Sequence, residues 1–401
     1  MSNSVTVTSS QSWGSRLIGS IKSVLVGLAL FIVAFPVLFW NEGRAVQTAR
    51  SLEEGAGAVV TVPAGQVDAA KEGKLVHLTG PVSTEGSLAD PDFGVEAQGV
   101  KLVRQVEMYQ WKQEEKSETK KKLGGGEETV TTYTYQKDWS TDAIDSSSFQ
   151  ESSGHENPGG FPVEANTVVA DPVKVGAFTL SSAQIDQVND GQSLPVTDAM
   201  LENVPEPMAS EIQVADGRFY RGENPAAPQV GDVRISFQVV KPETLSLIGV
   251  QTGETFAAYQ AKAGDAILMV EEGAHTSAEM FQAAQSANTV LTWIVRAGGF
   301  LMMFIGLIAV FKPISVFADV VPLVGTMLGA GLGVFSFLLS AALSVLTIAI
   351  AWIFYRPLLG MVLLALALGG LFWLVSLGRK KKRQRMGVPV PPPPPPAPVP
   401  A

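Results

Sequence analysis

The sequence predicts an α+β membrane protein with four transmembrane helices and one large β-rich extracytoplasmic domain between the first and second spans. Three observations lead to this fold class. The stretch 293–377 is almost wholly apolar, and at roughly 20 residues per membrane-spanning helix it has room for three helices. Charge is segregated along the chain. The middle of the chain shows the alternating pattern of β-strands.

Acidic and basic residues are concentrated in different regions of the chain. Residues 41–290 contain 18 Lys and Arg against 37 Asp and Glu, a balance of −19, within a net charge of −9 for the whole chain. The remaining residues carry 11 basic groups and a single acidic one, Asp319. Lys and Arg next to membrane segments stay on the cytoplasmic side. We therefore expect both termini in the cytoplasm and the acidic middle on the opposite face.

The first apolar run, 23–40, follows Arg16 and Lys22 and has no small-residue cleavage pattern after it, which indicates an uncleaved signal anchor. Residues 45–54 still suit a helix. At the other end of the middle region, Thr276 and Glu279 have the spacing of a capping box, and a helix from there runs without a breaker into the second span. We expect a paired helical stalk that holds the domain near the bilayer.

The pattern of the middle region predicts strands joined by turns. Val233, Ile235 and Phe237 alternate with polar residues, the period of a half-buried strand. Residues 112–128 form a charged, glycine-bearing insert, predicted to be a solvated hairpin tip, and 181–188 suit a short helix. The further predicted strands are 75–79, 102–111, 130–135, 244–250 and 266–270.

These predictions divide the chain into nine segments. In order they are a cytoplasmic N-terminal segment (1–22), the first transmembrane helix (23–40), the β-rich periplasmic or lumenal domain with helical stalks (41–290), the second transmembrane helix (291–311), a cytoplasmic interfacial linker (312–325), the third transmembrane helix (326–354), an extracytoplasmic turn (355–357), the fourth transmembrane helix (358–377) and a basic, proline-rich cytoplasmic tail (378–401).

Candidate site residues fall into three groups. Aromatic and arginine side chains are predicted to anchor the helices at the membrane interface, where aromatic rings and snorkelling cations are enriched: Trp40, Arg44, Trp293, Arg296, Tyr355 and Arg356. A basic cluster after the last span is predicted to set the topology and attract anionic lipid, at roughly 1 kcal/mol per charge: Arg379, Lys380, Lys381, Lys382, Arg383 and Arg385. Small residues at intervals of four are predicted to pack helices, either within one bundle or between copies: Gly325, Gly329, Gly333, Ser336, Ser340 and Ser344.

The sequence offers no residues for catalysis, a cofactor or a metal ion. The three histidines, His77, His155 and His275, are far apart, and no metalloprotease, serine-hydrolase or phosphate-loop motif occurs. The run from Asp90 resembles a calcium loop but has Lys101 at the twelfth position, so a turn is favoured. The absence of cysteine excludes disulfides and thiol chemistry. The proline tail suits a solvated spacer or an SH3-like partner, and no nucleic acid is expected.

Eight short runs resemble the transmembrane protein 43 (LUMA) family in order and spacing, over most of the chain. They are NEGR at 41–44, GKLVH at 73–77, DPDFGV at 90–95, VEMYQW at 106–111, GHENP at 154–158, GENP at 222–225, GDVRISF at 231–237 and FYRPL at 354–358. The departures are the tip 112–128, a shorter segment after Ser236 and the proline-rich tail.

The resemblance implies four spans, a lumenal domain, and a place in the endoplasmic reticulum and inner nuclear membrane of eukaryotes. It also implies self-association, envelope organisation and no catalytic residues. The proline-tailed character favours a bacterial homologue, with the domain in the periplasm and the helices in the inner membrane.

The leading hypothesis is a non-enzymatic integral membrane scaffold, which self-associates and organises the membrane or envelope through its extracytoplasmic domain. Its partners would be the lipid bilayer, further copies of itself and other membrane or envelope proteins. The alternatives are a channel or transporter subunit and, third, a membrane-anchored hydrolase whose His, Asp and Ser are brought together by folding.

Overall fold

The computed structural model describes residues 3–358, in which long helices at both ends of the chain flank a β-rich middle. Two short 3₁₀ turns occupy Ala69–Lys71 and Ser146–Ser148. The α-helices are α1 (Trp13–Ala58), α2 (Ser182–Ile185), α3 (Asp198–Leu201), α4 (Met208–Glu211), α5 (Ser277–Ala318) and α6 (Pro322–Tyr355).

The strands, in chain order, are β1 (Ser4–Gln11), β2 (Val60–Thr61), β3 (Leu75–Thr84), β4 (Leu88–Ala89), β5 (Glu96–Ala97), β6 (Lys101–Lys121), β7 (Glu127–Ser140), β8 (Asn166–Val169), β9 (Val173–Val175), β10 (Phe178–Thr179), β11 (Gly191–Leu194), β12 (Ile212–Ala215), β13 (Arg218–Arg221), β14 (Val233–Val240), β15 (Thr244–Thr252), β16 (Thr255–Ala257), β17 (Tyr259–Gln260), β18 (Ala266–Ile267) and β19 (Met269–Glu272).

Within residues 3–358, three helices are long and apolar enough to cross a membrane: α1, α5 and α6. The predicted fold class, which counted four transmembrane helices, is therefore wrong: residues 3–358 contain three candidate spans around the β-rich middle. The structure has one such helix at the N-terminal side of the β-rich middle and two at its C-terminal side. The predicted fourth span, 358–377, lies outside the described residues except for Leu358.

The loop between α5 and α6 is much shorter than the predicted linker 312–325. Helix α5 continues through Pro313 to Ala318, and α6 begins at Pro322. Pro313 removes one backbone donor from α5 but does not end that helix. Pro322 is at the first position of α6, where a backbone N–H would have no partner in the helix, so proline is tolerated there. Only three residues, 319–321, remain for the turn.

Helices α1 and α5 run side by side from this turn to the β-rich domain. The close approach of their backbones depends on Gly27 and Gly306: a Cβ built on Gly27 would lie 2.7 Å from Gly306 O, and one on Gly306 would lie 2.7 Å from Gly27 O. The capping box predicted at Thr276 and Glu279 is present at the start of α5. At about 1.5 Å per residue, α1 is roughly 69 Å long.

At their domain end, the two helices enter a small apolar cluster. Leu52 of α1 packs with Met280 and Phe281 of α5 against Ile248 and Ile267 of the domain. Fully burying one such side chain contributes about 1.5–3 kcal/mol. The cluster therefore fixes the domain to the helix pair.

The domain contains two main sheets. The larger has the order β1-β7-β6-β14-β13-β12, with β11 on β14 and β8 on β6, and all of its pairings are antiparallel. The smaller has the order β10-β9-β3-β15-β16, with β19 on β15 and β2 parallel to β3. The main core of buried residues draws on both sheets and includes Phe219, Phe237 and Leu247.

The Asp-Pro-Asp-Phe-Gly run anchors a loop in this core. Asp90 Oδ1 accepts the N–H groups of Asp92 and Phe93, and Arg104 bonds to both aspartates at 2.6 Å. Gly94 has φ of 59°, a conformation that favours glycine. Phe93 stacks on Phe219 with ring centroids 5.5 Å apart. The turn favoured over a calcium loop is thus held by an ion pair.

Strands β6 and β7 form a hairpin that extends well beyond the sheet. Past Met108, where pairing with β14 ends, β6 pairs with β7 for another 13 residues, up to Lys121 opposite Glu127. Strand β1 adds to β7, from Ser4 opposite Thr134 to Gln11 opposite Glu127. We call this three-stranded extension the ribbon. At about 3.3 Å per residue it is roughly 43 Å long.

Candidate functional site

A buried glutamate lies where the three long helices meet next to the domain. Glu42 of α1 accepts hydrogen bonds from Arg296 Nε and Nη2 of α5, at 2.6 and 2.8 Å, and from Trp352 Nε1 of α6, at 2.7 Å. The side chain of Glu42 is 2% exposed. Because both oxygens of the carboxylate are used, its negative charge is matched by a two-pronged arginine contact.

A second arginine crosslinks the helix pair one turn away. Arg44 Nη1 donates to Asn288 Oδ1 at 3.0 Å, and Nη2 donates to Thr292 Oγ1 at 3.1 Å. Asn41 Nδ2 donates to Thr292 O at 3.2 Å. Residues 41–44 thus contribute three polar side chains, Asn41, Glu42 and Arg44, to the contact with α5.

Gly43 lies between these polar residues for a steric reason. A Cβ at position 43 would lie 2.6 Å from Cζ of Tyr355, at the end of α6. The Tyr355 ring also contacts Phe39, with centroids 5.1 Å apart. Glycine is therefore needed for α6 to approach α1 at the level of Glu42. We call the cluster of Glu42, Arg296 and Trp352 the domain-end network.

A cavity of about 310 Å³ opens between α1, α5 and strand β18. Its walls include Leu52, Ile267 and Leu291, and Arg44 lies at its edge. This volume is at the lower end of the range for ligand pockets. Arg44 Nε is buried without a hydrogen-bond partner, while its other guanidinium nitrogens are bonded.

At the far end of the helices, a second buried carboxylate joins the helix turn to the ribbon. Asp319 is 1% exposed, and its oxygens contact Arg16 Nη2 and Lys121 Nζ, each at 2.6 Å. Arg16 also contacts Glu127 at 2.6 Å and donates to Gly125 O. We call this cluster of Arg16, Lys121, Glu127 and Asp319 the far-end network.

Backbone and aromatic contacts support the far-end network. Trp13 Nε1 donates to Val316 O at 3.0 Å, and Gly124 N donates to Val320 O at 3.2 Å. Gly125 has φ of 81° and lies against the Trp13 ring. The ribbon is therefore attached at both ends, to the domain at its base and to the helix turn at its tip.

The ribbon runs alongside the apolar parts of the helices. From Arg16 to Gln47, which bonds to Asp265 of the domain, α1 rises about 47 Å at 1.5 Å per residue. A bilayer has a hydrocarbon core of about 30 Å, or 40–45 Å with the headgroup regions. A bilayer around the apolar helix segments would therefore have the ribbon crossing its plane.

The ribbon's composition is incompatible with lipid. Every residue of β6 from 114 to 120 is exposed, among them Glu115, Lys116 and Glu118. Each charged side chain at the bilayer centre costs about 2.5–3.5 kcal/mol, so three cost about 8–10 kcal/mol, comparable to the stability of a whole domain. Non-helical backbone at membrane depth occurs only where protein or water surrounds it.

The predicted small-residue stripe packs largely inside this chain. Ser336, Ser340 and Ser344 are buried, and Ser344 Oγ lies 3.7 Å from Met303 Sδ of α5. A Cβ on Gly325 would collide with Asp319. Gly329 and Gly333 line a groove of about 170 Å³ between α5 and α6. At Gly333 nothing lies within 4 Å of an added Cβ, so a contact between copies stays a prediction there.

The predicted interface anchors are arranged around the domain-end network. Trp40 and Trp293 are 62% and 63% exposed. Arg296, predicted to snorkel, instead pairs with Glu42, because that carboxylate is within bonding reach, and it stacks on Trp293 at 4.7 Å. Arg356 follows α6, and its N–H donates to Trp352 O. The predicted basic cluster, 379–385, lies outside the described residues.

The three histidines have structural partners: His77 lies against the backbone of His275, whereas His155 lies against Tyr135 and Glu151. His77 lies 2.9 Å from His275 O through Nε2, and burial lowers its pKa. His155 stacks on Tyr135 at 4.0 Å and contacts Glu151 O at 3.1 Å. Among residues 3–358, no group of three or more His, Cys, Asp or Glu is arranged to hold a metal ion.

The two buried carboxylates were missed by sequence reasoning. Asp319 did carry a signal, because it is the single acidic residue outside 41–290 and directly precedes an apolar helix. Glu42 and Arg296 are 254 positions apart, and nothing in the local pattern links them. Strand β1 was also missed, since 1–22 were predicted as a cytoplasmic N-terminal segment without a strand.

Comparison with known proteins identifies the family. The family model described as Transmembrane protein 43 matches residues 108–357. Human transmembrane protein 43 is 35% identical over 364 residues, covering 88% of this chain and 89% of the human protein, and the mouse protein gives the same values. The transmembrane protein 43 homolog of Drosophila melanogaster is 32% identical over 347 residues, covering 85% of this chain and 90% of that protein.

No solved structure gives a significant match to the chain. The match to the family model and the identity to the relatives each extend over more than half of the sequence. The chain is a membrane protein of the transmembrane protein 43 family.

Proposed function

We propose that this protein is a non-enzymatic membrane scaffold, which self-associates and holds its β-rich domain at a fixed position relative to the bilayer. The domain would lie on the extracytoplasmic face and contact further copies or other membrane and envelope proteins there. In a bacterium the membrane would be the inner membrane; in a eukaryote it would be the endoplasmic reticulum or inner nuclear membrane.

The observation that carries this proposal is the unbroken passage from apolar helix to domain core. Helix α1 runs from Trp13 to Ala58 and α5 from Ser277 to Ala318 without a break. Leu52 and Phe281 pack into the domain on the same helices whose other turns are apolar and exposed. A flexible linker would leave the domain free to move. Continuous helices instead transmit position and orientation, as a scaffold requires.

The outward-facing side chains support a role in assembly. Large apolar residues such as Leu323, Met327 and Phe354 are more than two-thirds exposed on α6. In a bilayer these face lipid or another copy. The groove at Gly333 offers a place where helices from two copies could approach closely, since small residues allow van der Waals packing between helices.

The mass of the full-length protein in lipid nanodiscs tests self-association. We expect particles with several copies of the 42.5-kDa chain. Gly333→Leu fills the groove and should lower the copy number. Gly331→Leu is the matched control, because a Cβ there also meets nothing within 4 Å but the position is exposed on another side of α6. Particles with a single wild-type copy would refute the proposal.

A further inference from the structure

In a membrane, a single copy of the chain would leave the polar side chains of the ribbon exposed to lipid. Its base lies in the domain and its tip lies at the far-end network, where Lys121 and Glu127 contact Asp319 and Arg16. Its length matches the thickness of a bilayer, whereas its exposed side chains are polar and charged. Some other surface must therefore separate it from lipid.

One face of the ribbon is charged, and the other combines hydroxyl and charged side chains with a few apolar ones, among them Val5 and Val7. One face of β6 carries Lys112, Glu114, Lys116, Glu118 and Lys120, which alternate in charge. On the other face, residues of β1, β7 and β6 lie side by side across the three strands. For example, Val7 pairs with Thr131, and Thr131 pairs with Ser117. Hydroxyl ladders such as Ser117 Oγ to Thr131 Oγ1, at 2.9 Å, add to this polarity. The charged face is therefore not suited to lie against lipid or an apolar helix.

The ribbon's two edges are also open in the described part of the chain. No strand within residues 3–358 pairs with β6 on its outer side from Glu114 to Lys120, or with β1 on its outer side from Val5 to Gln11. Unpaired strand edges are templates for pairing with another chain. In lipid they would also leave backbone groups without partners.

The direction of the two edge strands fits repetition by rotation. Strands β1 and β6 are each antiparallel to β7, so they run in the same direction. The β6 edge of one copy can therefore meet the β1 edge of the next while both copies keep the same orientation in the membrane. Such a contact between two different surfaces closes into a ring when the rotation allows it.

We propose that the ribbon crosses the membrane plane in a water-containing space enclosed by several copies of this chain, with β6 of one copy against β1 of the next. The partner is a second copy of the same protein, and the proposal rests on the self-association proposed above. The helices α1, α5 and α6 face the lipid, and the far-end network holds each ribbon upright across the membrane.

The first test asks whether the ribbon tip stays on the helix turn in a bilayer. The chain has no cysteine, so introduced cysteines are the sole thiols. Leu123 and Val320 are both exposed and flank the Gly124–Val320 hydrogen bond. The double variant Leu123→Cys/Val320→Cys in nanodiscs should crosslink within one chain with a short bis-maleimide. Loss of this crosslink in nanodiscs overturns the proposal.

The second test asks whether neighbouring ribbons meet. Differently tagged copies carrying Thr6→Cys and Lys116→Cys are mixed, since these residues lie at one level of the ribbon. We expect crosslinked heterodimers at least tenfold above a control pair in which Ser153→Cys, exposed in the domain, replaces Lys116→Cys. A yield equal to that control overturns the proposal.

The outcomes separate this proposal from self-association itself. Particles with several copies, but no Thr6–Lys116 heterodimer or no tip crosslink, reject the ribbon interface and leave the scaffold proposal standing. Particles with one copy reject both. Several copies with both crosslinks support both, and reaction of a charged maleimide with Ser117→Cys in the same particles then supports a space that holds water.

Discussion

The two ends of the helix bundle each bury a carboxylate against an arginine, but they connect different parts of the molecule. At the domain end, Glu42 receives Arg296 and Trp352, and every partner belongs to a long helix. At the far end, Asp319 receives Arg16 and Lys121, so a turn, a helix start and a strand meet there.

The domain-end network is a contact within the helix bundle, whereas the far-end network attaches the ribbon to the helices. Loss of the domain-end network leaves a buried arginine and an indole N–H unpaired between helices that also pack on the domain. Loss of the far-end network releases a ribbon that is exposed along most of its length. We therefore expect the first to destabilise the whole protein and the second to act locally.

The largest expected effect is that of Glu42→Gln. Removing one partner of a buried ion pair costs about 3–5 kcal/mol, because the remaining charge stays buried. We expect a clear fall in the thermal unfolding midpoint in nanodiscs, read from the domain. The control is Glu53→Gln on the same helix, where the side chain is exposed. An unchanged midpoint relative to that control would show that Glu42 is not needed for stability.

Asp319→Asn should have a smaller and local effect. We expect about 2–3 kcal/mol less free energy for holding the tip, because buried Arg16 keeps Glu127 as a partner and Lys121 is partly exposed and regains water. Because 1.36 kcal/mol corresponds to a factor of ten, trypsin should then cleave near Lys120–Lys122 about 30- to 150-fold faster, while the midpoint of domain unfolding stays unchanged. Glu118→Gln, a charge change in the ribbon away from the tip, serves as the control. Equal cleavage of both variants would contradict the attachment role.

Gly43→Ala tests how closely α6 must approach at the domain end. The added Cβ would lie 2.6 Å from Tyr355 Cζ, and overpacking of this kind costs about 1–3 kcal/mol. We expect a lower unfolding midpoint and no change in ribbon cleavage. Gly57→Ala, where nothing lies within 4 Å, should be neutral. If both variants behave alike, the contact with Tyr355 is not limiting.

The smallest expected effect is a pH dependence of domain stability through His77 of β3. Burial lowers the pKa of His77 below its ordinary value, so the unfolded chain binds a proton at a higher pH than the folded one. Stability is therefore full above the unfolded pKa of about 6.5 and falls as the pH drops below it. We expect a lower midpoint at pH 5.5 than at 7.5, and a flatter profile in His77→Gln, with ribbon cleavage unaffected by that substitution.

Elements that depend on neighbouring residues could be predicted from the sequence, whereas those that depend on contacts between distant residues could not. Elements within a short stretch were predictable: the alternation at 233–239 matches β14, and the Thr276–Glu279 capping box begins α5. Both depend on neighbours a few residues apart. The predicted hairpin tip 112–128 was recognised from charge, but its length and position depend on contacts with Arg16 and Asp319, far away in the chain.

The candidate site was predicted less well than the fold. Trp293, Arg296 and Tyr355 were singled out as interface anchors, yet the carboxylate that organises them, Glu42, was not. A charged residue that ends a long apolar run is predicted to face water, and only tertiary structure reveals a partner 254 residues later. Apolar length indicated the three long helices of residues 3–358, but the linker 312–325 was predicted too long, because Pro313 does not end α5.

The most direct test of the account is the location of the two ends of the bundle relative to the membrane. Ser153→Cys in the domain and Val321→Cys in the helix turn are exposed single thiols in a chain without native cysteine. A maleimide on a polyethylene glycol chain too large for a narrow passage is added to sealed vesicles. We predict that one position reacts in intact vesicles and the other only after permeabilisation. Reaction of both from the same side would contradict the account.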